Sequence, residues 1–125
     1  MIATKQSILS LLALLLVAAT GYCQDCSILK KGKFRYVDNP SAWFVIDGSK
    51  HTEYLENGKY YIQSTLKWVS GCTYTMTMKK CTMPDFPYKP NDVMTVTVTK
   101  IEDGVIHFST DIEGNKAEGK VKKED

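Results

Sequence analysis

Arginine is almost missing from this chain of 125 residues: Arg35 is the only one among 16 basic side chains, and histidine occurs only as His51 and His107. A nucleic-acid-binding domain normally shows a strong basic excess on one face. Here 16 basic residues meet 14 acidic ones for a net charge of +2, so no nucleic-acid partner is expected. The two histidines fall in different segments, and neither has a His-Glu-x-x-His or comparable ligand spacing. Asp85, Asp92 and Asp111 do not form the alternating acidic run of a calcium loop and read as turn formers. Glycine-rich phosphate loops and the Gly-x-Ser-x-Gly nucleophile elbow are absent as well. The chain therefore reads as a non-enzyme, with no catalytic residue, metal or cofactor expected.

Long apolar runs are also scarce. The longest, Ile8 to Ala19, covers 12 residues interrupted only by Ser10. That is too short to span a bilayer, which needs about 20 residues. With Lys5 before it and Ala18, Ala19, Thr20 and Gly21 after it, residues 1–24 read as a signal peptide. Cleavage fits after Ala19 or just before Gln24, and the bulky Tyr22 beside Cys23 argues against a lipid anchor. The membrane then matters only during export, and the expected location is periplasmic or secreted. Removing Lys5 leaves 15 basic against 14 acidic residues in one domain over residues 25–125.

Cys23, Cys26, Cys72 and Cys81 would meet an oxidising compartment after export, where disulfides persist. Cys23-Gln24-Asp25-Cys26 has the spacing of redox and metal motifs but no helix or βαβ unit beside it. A structural bridge with one or two unpaired thiols is the expectation these spacings leave.

No helical period of useful length occurs either, and what takes its place is alternation. Phe34 and Tyr36 share one face, Trp43 to Ile46 forms a short apolar run, and His51 to Glu56 follows the Asp47-Gly48 turn. After Asn57-Gly58, Tyr60, Ile62, Ser64, Leu66 and Trp68 alternate with polar residues. Cys72, Tyr74, Met76 and Met78 alternate with threonines, as do Met94, Val96 and Val98. Ile106, Phe108 and Ile112, then Ala117, Gly119 and Val121, complete the pattern. Residues 83–92 hold three prolines and must be a loop, in which Phe86 and Tyr88 suggest either a recognition loop or a plug over one barrel end.

The fold class is thus all-β, an antiparallel meander of eight strands, each with one apolar and one wet face. Such a sheet covers its apolar side by curling into a small lipocalin-like barrel or half-barrel, with a two-sheet sandwich as the alternative.

Asp25-Cys26, Leu29, Gly32-Lys33-Phe34-Arg35-Tyr36 and Lys67-Trp68-Val69-Ser70-Gly71-Cys72-Thr73-Tyr74 together resemble a family of short exported bacterial proteins without an established activity. Some members carry a DNA topoisomerase IV label. Strand passage needs a large clamp, an acidic metal cluster and a tyrosine beside arginine, so a chain with one arginine gives that label no support. The resemblance implies a Cys26–Cys72 disulfide. Facing agrees: Cys72 shares the side of Tyr74, whereas Cys81, nine residues on, falls on the opposite side unless a bulge intervenes.

Tyr60, Trp68, Tyr74, Met76, Met78, Met94 and Phe108 then form the candidate ligand pocket, since methionine walls adapt to apolar guests. The same side chains would also serve as plain barrel filling. The expected role is binding of a small apolar ligand by a monomer. The alternative is an envelope-associated structural or protein–protein interaction module, and an enzyme of unknown class comes third.

Overall fold

The computed structural model describes residues 25–124; the expected signal segment and Cys23 lie outside the described residues. Eight antiparallel strands form one closed barrel in chain order. They are β1 (Lys31–Tyr36), β2 (Trp43–Asp47), β3 (Lys50–Leu55), β4 (Tyr60–Trp68), β5 (Thr73–Cys81), β6 (Val93–Glu102), β7 (Val105–Ile112) and β8 (Asn115–Glu124). β1 closes the barrel on β8, from Lys33 opposite Glu124 to Tyr36 opposite Val121. Closure rather than a sandwich follows from this pairing, which leaves no edge strand in the sheet. On the outside of the seam, Glu124 accepts from Arg35 and lies 3.7 Å from Lys33.

Tight turns allow the meander. Asp103-Gly104 and Glu113-Gly114 all have positive φ, the backbone of a primed two-residue hairpin that matches strand twist. Strand parity then decides burial. Phe34, Ile46, Leu66, Val98, Ile106 and Val121 point inward and fill the lower half of the barrel, each at most 4% exposed. A 3₁₀ turn, Cys26–Lys30, closes that end: Asp25 caps it by accepting from the Ser27 amide at 3.0 Å, and Leu29 seats in the core.

Cys26 and Cys72 are disulfide-bonded, with Cα atoms 5.3 Å apart, which fastens the turn to the start of β5. Cys81 is a free, half-buried thiol. Its facing differs from simple alternation. Gln63 pairs with Lys80 but Ser64 with Met78, so Lys79 is the extra residue of a bulge. Beyond it Cys81 stands opposite Ile62, back on the inward side. Thr99 is the extra residue of a second bulge, between the Val98–Phe108 and Lys100–His107 pairs.

Candidate functional site

The upper half of the barrel is hollow. Above the packed layer lies a cavity of about 340 Å³, whose mouth is framed by residues 37–42, the 82–92 loop and the β7–β8 hairpin. Its walls carry Phe44, Ile62, Met76, Met78, Met94, Val96, Phe108 and Ile112, every one at an inward position of its strand. Gly119 lies opposite Phe108 across the β7–β8 pair, and a Cβ there would sit 2.5 Å from the Phe108 Cζ. The missing side chain leaves room for the end of the Phe108 ring against β8.

The structure brings together five of the sequence-derived pocket residues: Tyr74, Met76, Met78, Met94 and Phe108 all line the cavity. Tyr60 and Trp68 do not, although both have the inward parity. Trp68 lies at the closed end, its ring 4.9 Å from Tyr74 and under the Lys30 ammonium. Tyr60, paired with Leu55, sits at the upper rim beneath Lys59. Parity sets the face of a strand but not the height along the barrel axis, and height separates these two from the rest.

The cavity also takes in residues outside that set, among them Tyr36, Phe44, His51 and Glu53. Across the short turn at Gly48, Ile46 pairs with His51 and Phe44 with Glu53. The inward face of β3 is therefore polar. The hairpin register was the available signal, because two polar residues opposite two buried apolar ones must share their side. His51 is 3% exposed and stacks on Phe44 at 4.7 Å between ring centroids; burial lowers its pKa to about 4, which leaves it neutral. Tyr36 donates its hydroxyl hydrogen to Glu53 Oε1. Removal from water raises the Glu53 pKa, opposed by that hydrogen bond. Tyr74 is also shifted up, first by burial and then by the nearby Glu53 charge.

The mouth is polar: Asp38, Asn39, Asp92, Thr110, Glu118 and Lys120 ring it, with Lys120 3.8 Å from Asp38. Phe86 and Tyr88 from the proline-rich loop pack edge to face at 5.7 Å and line the cavity, half-buried. The loop is anchored at both ends. The Thr82 amide donates to the Tyr61 carbonyl at 3.0 Å, and the Asn91 amide donates to the Met78 carbonyl at 2.8 Å. Among the described residues no group of three or more His, Cys, Asp or Glu is placed to hold a metal ion.

These features define a small closed β-barrel with a blocked lower end and an apolar chamber open through a polar mouth. No protein-family model, no curated protein and no solved structure matches the chain.

Proposed function

We propose that this protein is an exported binding protein of lipocalin-like design that holds one small, mainly apolar molecule in its barrel. The carrying observation is the cavity of about 340 Å³, walled by Met76, Met78, Met94 and aromatic rings above a packed core. Ligand chambers generally range from about 300 to 1,000 Å³ and combine apolar walls with a few polar groups that orient the guest. Unbranched methionine side chains move to fit guests of different shape. The Cys26–Cys72 bridge supports action in an oxidising compartment.

Two measurements test the reading. Native mass spectrometry of protein purified from its own compartment should show a retained small molecule. N-phenyl-1-naphthylamine, a neutral fluorescent probe, should bind one to one with a Kd on the order of micromolar. Gly119→Ala, which drives the Phe108 ring toward the cavity, should weaken that binding by about tenfold. An absence of both retained mass and probe binding would sink the proposal.

A further inference from the structure

The cavity has a pronounced charge asymmetry. Asp38, Glu53, Asp92 and Glu118 give it four carboxylates, and Lys120 is its one ammonium, at the mouth beside Asp38. Glu53 lies deeper than the other three, on the inward face of β3 opposite Phe44. Its hydrogen bond comes from the neutral Tyr36 hydroxyl, and the neighbouring His51 is neutral too. A carboxylate withdrawn from water with no cation near it is costly, and the cost falls when an opposite charge arrives.

Aromatic side chains stand beside the same carboxyl, Tyr36 through its hydroxyl and Phe44 as the cross-strand partner of Glu53. The Tyr36 ring lies 5.8 Å from Phe44 and 6.4 Å from Phe108, both in edge-to-face geometry, with Tyr74 near enough to feel the Glu53 charge. Rings around a buried carboxylate form a site for an organic cation, because the negative ring faces attract the same ammonium that pairs with the carboxylate. The Tyr36 bond engages Oε1, and the other oxygen is the one offered to a guest. The acidic mouth lies on the entry path, where it draws cations in and repels anions.

Resting on the binding reading above, we infer that the guest is an amphipathic amine, whose ammonium seats on Glu53 beside Tyr36 and Phe108 while its apolar body lies along Met76, Met78 and Met94. Neutral apolar molecules enter the same chamber more weakly, and fatty carboxylates are rejected by like charge.

Isothermal titration calorimetry with n-octylamine, 1-octanol and octanoate near neutral pH decides the matter. The three probes share one apolar body and differ only in head-group charge. Octylamine should bind at least about tenfold tighter than octanol, and octanoate weakest, as a charge-assisted bond to a buried carboxylate requires. Glu53→Gln should abolish the preference for the amine and leave octanol binding in place. Octanol binding as tightly as octylamine, or a preference that survives Glu53→Gln, would overturn the amine inference while the chamber stands. Failure of all three probes, together with failure of N-phenyl-1-naphthylamine, would remove the binding reading itself. The wild-type comparison needs no variant, so a misfolded Glu53→Gln protein leaves the test intact.

Discussion

His51 lies face to face with Phe44, and burial holds its pKa at about 4 against 6.5 for a free imidazole. The unfolded chain therefore takes up a proton as pH falls below about 6.5, while the folded barrel resists until about 4. Folding stability should drop by about 3 kcal/mol across that window and fall no further from this source below it. Above the window both states are neutral at this position and it adds no pH dependence. Glu53 works in the opposite sense, since a raised carboxyl pKa favours the folded state in acid. The discriminating measurement is thus a difference. His51→Phe keeps the ring stack, and urea denaturation should show its stability gaining about 3 kcal/mol on the wild type between about pH 7 and pH 4. Parallel curves would mean that the imidazole is free to protonate inside the barrel. Neither His51 nor Glu53 was legible as a site residue, because a polar side chain in an alternating strand reads as part of the wet face. Only the pairing to Ile46 and Phe44 places them inside.

At the scale of elements, the eight strands were legible because turn and loop signals rich in Gly, Pro, Asn and Asp separate apolar or alternating segments, and the pairing follows their chain order. The two bulges were not. Lys79 and Thr99 are ordinary strand residues of the wet wall, and nothing in their side chains marks an extra position. Tyr60 and Trp68 show the companion limit, since alternation carries no information about distance from a barrel end. The 3₁₀ turn at the closed end is held by two devices, the buried Leu29 and the disulfide. The bridge joins positions 46 apart, and closing such a loop in the unfolded chain is worth about 4 kcal/mol in the chain-entropy model. Replacing Cys26 and Cys72 together by serine should lower the unfolding free energy by about that amount. Non-reducing peptide mapping of the wild type should recover the Cys26–Cys72 pair and one alkylatable thiol at Cys81 among residues 25–124. A Cys72–Cys81 pair would contradict the structure.

For the molecule as a whole, barrel closure was an inference from the need to cover eight half-wet strands, and the structure supplies the seam itself. That seam joins distant chain: Arg35 and Glu124 are 89 positions apart, whereas every other strand pair is a neighbouring hairpin or meander connection. Closing the longest loop costs the most chain entropy, so β1 should meet β8 after the local hairpins have formed. Val121, fully buried in β8 opposite Tyr36 and Ile106, reports on this step. Val121→Ala should cost about 2 kcal/mol, nearly all as faster unfolding, with a φ-value below about 0.3 in stopped-flow chevrons. Leu66→Ala in the β4–β5 hairpin should give a clearly higher φ-value, and the reverse order would place the seam in the folding nucleus. Until the ring shuts, both terminal strands present unpaired amide and carbonyl rows and the apolar lining is open along its length. Self-association should therefore compete with folding during that interval alone, so refolding yield should depend on protein concentration while the finished barrel offers no strand edge to build on.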